Sequence, residues 1–159
     1  MKMRTGFGYD VHELKENVEF WLGGIKIDHH KGAIGHSDAD VLIHAICDGL
    51  LGAANLRDIG YHFSDSDPKY KGIDSKVLLK EVIAMVRQKG YEIGNIDSTI
   101  SLQTPKINGY IEEMVAILAE VMGISSDDLS IKATTTEKLG FVGSEQGIAA
   151  YTNVLLTKE

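Results

Sequence analysis

The sequence predicts a two-layer α+β (α/β) sandwich, with a mixed four- to five-stranded sheet and three main helices on one face. Three observations predict it. Extended, largely alternating stretches occur at residues 3–12, 91–103, 129–136 and 147–157, and helical-period runs at 37–53, 74–89 and 107–122. The resulting order is β-β-α-α-β-α-β-β. The helix between the third and fourth strands should carry the chain across the sheet in a right-handed crossover. With 159 residues, 43% hydrophobic and 25% charged, residues 1–159 are expected to form a single domain around one core.

The first strand covers residues 3–12. A second, 18–27, is interrupted by Gly23-Gly24 and is expected to pair with the first as a hairpin. Residues 28–36 are polar and read as an exposed loop. Ser37-Asp38-Ala39-Asp40 has the S-x-x-[DE] capping pattern, which makes Ser37 the expected start of helix one. Its packed face is Val41, Leu42, Ala45, Ile46, Gly49 and Gly52 or Ala53. Residues 57–72 form a long polar loop. Helix two is capped by Asp74-Ser75, buries Val77, Leu78, Val82, Ile83 and Val86, and stops at Gly90. Strand three places Ile96, Ser98, Ile100 and Leu102 on one face and breaks at Gln103-Thr104-Pro105-Lys106. Helix three presents Ile111, Met114, Val115, Leu118 and Met122, methionines that read as core filler. Strand four, the loop Glu137–Gln146 and a last strand complete the chain.

Composition excludes several function classes. A net charge of -7 lacks the basic footprint of a nucleic-acid binder. It leaves room for a phosphorylated small molecule, because a bound cation inverts the local field. A single cysteine, Cys47, rules out an intrachain disulfide framework and reads as a small core residue. There is no signal-peptide core and no run long enough to span a membrane, so a cytoplasmic location is expected.

The chemistry gathers at Gly6-Phe7-Gly8-Tyr9-Asp10-Val11-His12. Asp10 and His12 stand at i and i+2, on one face of a strand. A carboxylate and an imidazole there make two-thirds of a zinc site with an open position. Alone, such a pair is more often a hydrogen-bonded strand end. Asp40, His44 and Asp48 recur every four residues along helix one, so His44 projects beside carboxylates and is the candidate third ligand. His36 stands just before that helix, where an N-terminus attracts anions. Thr134-Thr135-Thr136-Glu137 follows a strand directly; its hydroxyls and acid suit phosphate oxygens and a hard cation, or simply a threonine-rich strand end.

Taken together, Gly-Tyr-Asp-Val-His (8–12), His-Ser-Asp-Ala-Asp-Val-Leu-Ile-His-Ala (36–45), Asp-Ile-Gly-x-x-Phe-x-Asp-x-Asp-Pro (58–68) and Lys-Ala-Thr-Thr-Thr-Glu-Lys-Leu-Gly-Phe (132–141) resemble the 2-C-methyl-D-erythritol 2,4-cyclodiphosphate synthase family. The likeness runs over essentially the whole chain. It implies a homotrimer with active sites between subunits. It implies one Zn²⁺ per subunit, held by Asp10, His12 and His44, and Mg²⁺ or Mn²⁺ bridging the substrate diphosphate through Glu137. The implied substrate is 4-diphosphocytidyl-2-C-methyl-D-erythritol 2-phosphate, whose own 2-phosphate attacks the β-phosphorus and expels CMP. His36 and Thr135 match the transition-state groups. Asp58-Ile59-Gly60 match the ribose-binding segment and Phe63-Ser64-Asp65-Ser66-Asp67 the methylerythritol-facing segment. Leu102-Gln103-Thr104-Pro105-Lys106-Ile107-Asn108 match the cytosine-binding segment, which a neighbouring subunit supplies. Asp10, Val11, His12, His36, Ser37, Thr134, Thr135, Thr136, Glu137, Phe141 and Ser144 fall at further substrate-binding positions.

Two segments depart from the family pattern. Phe63-Ser64-Asp65 stands where F-P-D is common, which should loosen that loop while keeping its acids. Gly143-Ser144-Glu145-Gln146-Gly147 stands where relatives often carry G-R-x-E-G. Serine cannot replace a guanidinium fork, so isoprenoid diphosphate binding on the trimer axis is not expected. A metal phosphohydrolase using the same triad, and a non-catalytic nucleotide- or metal-binding trimer, are the competing readings. The joint presence of Asp10, His12, His44, His36, Thr135 and Glu137 speaks against the second.

Overall fold

The computed structural model describes residues 1–159. A five-stranded mixed sheet is built from β1 (Lys2–Glu16), β4 (Lys31–Ile34), β5 (Glu92–Ser101), β6 (Leu129–Thr134) and β7 (Gly147–Lys158), in the order β4-β1-β7-β5-β6. Only β5 and β6 run parallel, and the helix joining them is α4 (Ile111–Met122). β2 (Phe20–Leu22) and β3 (Ile25–Ile27) form a separate two-stranded ribbon. The α+β class, the mixed sheet and the three main helices agree with expectation.

Several boundaries moved. Strand one continues to Glu16 and pairs with β7 and β4, so the hairpin with the second strand does not form. Gly23 and Gly24 both adopt positive φ and fold residues 20–27 back on themselves instead. The predicted loop 28–36 contains β4, too short to register as an alternating pattern. The polar loop 57–72 contains α2 (Ile59–His62) and a 3₁₀ turn at Pro68–Tyr70, and the loop 137–146 contains α5 (Gly140–Gly143). α4 starts at Ile111, after a separate 3₁₀ turn at Asn108–Tyr110.

α1 (Val41–Ala53) is the hub. It is apolar nearly all round, the mark of a buried helix. All its residues are buried except His44, Asp48 and Gly52. These stand at i, i+4 and i+8 and so share the one stripe not packed against neighbours. Ser37 does not cap the helix. Asp40 does, accepting from Ile43 N–H and also from Gly23 and Gly24 N–H at 3.0 and 2.7 Å. Burial pushes the Asp40 carboxyl upward, and these three amides oppose that rise. One side chain thereby starts the helix and pins the ribbon.

α1 lies directly on β1. A Cβ at Gly8 would stand 1.8 Å from the Ala45 carbonyl oxygen, and one at Gly6 2.0 Å from that of Gly49. Both glycines are required by this approach. Ala53, not Gly52, completes the packed face, since Gly52 has open space around its Cα. α3 (Ser75–Gln88) packs on α1 and is capped by Asp74. Leu79 takes the core position expected of Val77, which is 43% exposed. Leu42, Ile43, Ile46 and Leu50 are fully buried, each contributing roughly 1.5–3 kcal/mol of transfer free energy. Met114 and Met122 fill the core below α4, and Cys47 is buried with its thiol pushed well up by burial. The opposite sheet face exposes Met3, Phe7, Tyr9, Val11 and Tyr151. No helix is long and apolar enough to cross a membrane.

Candidate active site

Because α1 touches β1 along Gly8, His44 meets the strand where Asp10 and His12 project. Asp10 Oδ2 lies 3.0 Å from His44 Nδ1 and 3.3 Å from His12 Nδ1, and the two rings are 5.2 Å apart. One donor atom from each of the three residues lies within 4.8 Å of the others. The donor set is two imidazoles and one carboxylate, half-buried, and it suits zinc with a position left open. His12 Nδ1 is 2.7 Å from the Val11 carbonyl, which only accepts, so its Nε2 carries the free lone pair. That atom faces Gly35, where a Cβ would come within 3.0 Å of it.

Burial disfavours charge on His44, but the Asp10 hydrogen bond and charge, with Asp40 and Asp38 behind, outweigh it and raise its pKa. The same carboxylate field that favours a proton there favours a cation. Burial, followed by the charges of Asp58 and Asp10, raises Asp48; the Ile59 N–H it accepts at 2.8 Å opposes this. Asp48 thereby anchors α2 and the Asp58–Gly60 turn to the polar stripe of α1.

A cleft of about 480 Å³ opens over the triad. It brings together Asp10, Val11, His12, His36, Ser37, His44, Ile59, Gly60, Phe63 and Asp65 of the expected residues. His36 Nε2 is 3.0 Å from the Asp67 carbonyl and Gly72 N–H donates to the His36 carbonyl, which clips the 64–72 loop to the cleft wall. Asp58 caps α2, Ser64 and Ser66 bond each other, and Asp67 caps the following turn. These four border the cleft without lining it. Glu13, Ile34, Gly35, Tyr70, Ile73 and Leu78 also line it; nothing in their local sequence marks them out.

The other expected residues stand apart. Leu102, Gln103, Pro105, Lys106, Ile107, Asn108, Thr134 and Thr135 line a second cleft of about 210 Å³, which shares no residue with the first. Thr104 belongs to the same segment without lining it. Glu137 and Lys138 adopt positive φ. Thr135 Oγ1 donates to Glu137 Oε1 and accepts from Glu137 N–H, and Lys138 N–H donates to Gln103 Oε1 at 3.1 Å. Thr136 Oγ1 donates to the Leu139 carbonyl. Phe141 lines a third cleft with Val11, His12 and Glu13. Ser144 lines none of the three and donates to the Phe141 carbonyl.

The YgbB family profile matches residues 3–157. The 2-C-methyl-D-erythritol 2,4-cyclodiphosphate synthase of Bacteroides fragilis is 62% identical over 158 residues, 99% of each chain. That of Cytophaga hutchinsonii is 61% identical over 158 residues, again 99% of each. Among solved structures, the bifunctional IspDF of Campylobacter jejuni superposes with a TM-score of 0.96 at 40% identity. The match covers 99% of this chain and 43% of that longer one. The Plasmodium falciparum IspF in complex with CDP superposes with a TM-score of 0.87 at 34% identity, covering 99% and 97%.

Proposed function

The chain belongs to the YgbB family of 2-C-methyl-D-erythritol 2,4-cyclodiphosphate synthases, and from that premise we propose how its residues divide the work. The activity is that of a CMP-releasing phosphorus-oxygen lyase in the non-mevalonate route to isoprenoid precursors. The 2-phosphate of 4-diphosphocytidyl-2-C-methyl-D-erythritol 2-phosphate attacks the β-phosphorus. A new P–O bond closes the eight-membered ring as the bond to the α-phosphate side breaks, and CMP departs with that electron pair. No protein nucleophile is needed, so the chain contributes positioning and charge stabilisation.

Asp10, His12 and His44 would hold a zinc ion, one per chain, and Glu137 would hold Mg²⁺ or Mn²⁺. The first would lend Lewis acidity to the β-phosphoryl group and the second neutralising charge to the diphosphate. His36 and Thr135 donate to the phosphoryl oxygens as charge develops, the Thr135 hydroxyl turning to them from Glu137 Oε1. Asp58, Ile59 and Gly60 take the ribose, and Phe63 to Asp67 face the methylerythritol. Leu102 to Asn108 take the cytosine. Val11, Ser37, Thr134, Thr136 and Phe141 complete the contacts, with Ser144 the weakest.

The observation that carries the reading is the Asp10–His12–His44 cluster lining a cleft of about 480 Å³. The separation of the two clefts supports a homotrimer in which the metal half of one subunit meets the cytosine half of its neighbour. The exposed Phe7, Tyr9 and Tyr151 supply an apolar face of the kind such an assembly buries. We place the 159 residues as one catalytic domain acting in the cytoplasm. Incubating the purified chain with the cytidyl substrate, zinc and Mg²⁺ should yield CMP and a cyclic diphosphate by phosphorus NMR. Release of inorganic phosphate instead would identify a phosphohydrolase and overturn the reading.

A further inference from the structure

His44 reaches the metal site with one ring nitrogen and two serine hydroxyls, the half-buried Ser37 and the buried Ser75, with the other. Its Nε2 lies 3.0 Å from Ser75 Oγ and 3.1 Å from Ser37 Oγ. Ser75 is the first residue of α3 and is completely buried, an unusual place for an unpaired hydroxyl. It is paired: its hydroxyl donates to Asp38 Oδ1, and its N–H donates to Asp38 Oδ2 at 2.9 Å. Asp38 Oδ1 also accepts the Asp40 N–H. Asp38 is therefore surrounded by donors and acts only as an acceptor.

This fixes a direction. A serine has one hydroxyl proton, and that of Ser75 is committed to Asp38. Toward His44, Ser75 Oγ can only accept, so the proton on a neutral imidazole must sit on Nε2. A metal ion can then take only the Nδ1 lone pair, displacing the proton that Nδ1 otherwise donates to Asp10 Oδ2, 3.0 Å away. Ser37 does not decide the matter, because its own proton is free to turn toward Ser75 Oγ, 3.4 Å away.

We propose that Ser75, oriented by Asp38, is a positioning residue that locks His44 in the tautomer presenting Nδ1 to the metal. Ordering of the α3 N-terminus is thereby coupled to metal binding on α1. The proposal rests on the Asp10–His12–His44 metal reading. It assigns to Ser75 a role that neither its sequence neighbourhood nor its place as the first residue of α3 reveals.

The test reads zinc affinity and tautomer rather than turnover. Competition with a chromogenic chelator should show Ser75→Ala binding zinc roughly 10- to 100-fold more weakly, the usual effect of removing a group that orients a ligating histidine. Asp38→Asn, which frees the Ser75 proton to turn toward Nε2, should weaken binding in the same direction with Ser75 intact. Long-range ¹H–¹⁵N NMR of the zinc-loaded native chain, which needs no variant, should show His44 protonated at Nε2 and not at Nδ1. Folded variants that hold zinc within threefold of the native chain, or a native spectrum with the proton on Nδ1, would overturn the Ser75 role alone. A native chain that binds no zinc would overturn the metal reading beneath it.

Discussion

The proposed metal half and the proposed phosphate-loop half of the site are built in opposite ways. Asp10, His12 and His44 stand on a long strand and a buried helix pressed together through Gly6 and Gly8, with Ser75 and Asp38 behind them. Thr135, Glu137 and Gln103 stand on exposed loops whose hydrogen bonds run mostly among themselves. The first half is finished within one chain. The second is preorganised only locally and has no wall opposite it. The contrast teaches that damage to the first half should register in folding and metal content, while damage to the second should register in turnover alone.

The largest effect is expected from Gly8→Ala. The obstacle is the backbone oxygen of Ala45 at 1.8 Å, so the cost should reach or exceed the roughly 1–3 kcal/mol typical of overpacking. Denaturant unfolding and zinc content should fall together; a variant with native stability and native zinc would break the comparison. Next comes His44→Ala, which should lose zinc by atomic spectrometry and most turnover while circular dichroism shows α1 intact. Thr135→Ala should then lower kcat by about 10²-fold, as loss of one transition-state donor commonly does. Its stability and zinc content should stay unchanged; a clear loss of stability would mean the loop is as structural as the metal half.

Asp48→Asn sharpens the comparison at the level of about 1 kcal/mol or less. Burial and neighbouring acids raise the Asp48 pKa, so at neutral pH the folded chain bears a cost for ionising it. The amide keeps an acceptor for Ile59 N–H and removes that cost, so the variant should be slightly more stable at neutral pH. As pH falls through the raised pKa, Asp48 neutralises itself and the two stability curves should converge. Curves that diverge in acid would mean that the fold favours ionised Asp48.

Much of this division was legible in sequence because each motif is local. The i, i+2 spacing of Asp10 and His12 and the four-residue stripe through His44 are properties of single elements, and the fold only had to bring the elements together. What could not be read is long-range. Ser75 stands 31 residues from His44 and presents itself locally as a helix start. Ser37 fits the capping pattern better than Asp40 does, but Asp40 captures three backbone donors, two of them from a ribbon remote in sequence. β4 escaped because four residues with a glycine carry too little alternation.

Complementation tests most directly whether the two halves meet between subunits. His44→Ala and Thr135→Ala chains, each strongly impaired alone, are co-expressed with different tags. A mixed trimer contains one site built from the intact metal half of one chain and the intact loop half of another. Random assembly in threes should therefore restore about a quarter of native CMP release across the unfractionated pool. Activity no higher than the sum of the two variants, in oligomers that native mass spectrometry shows to be mixed, would contradict the account.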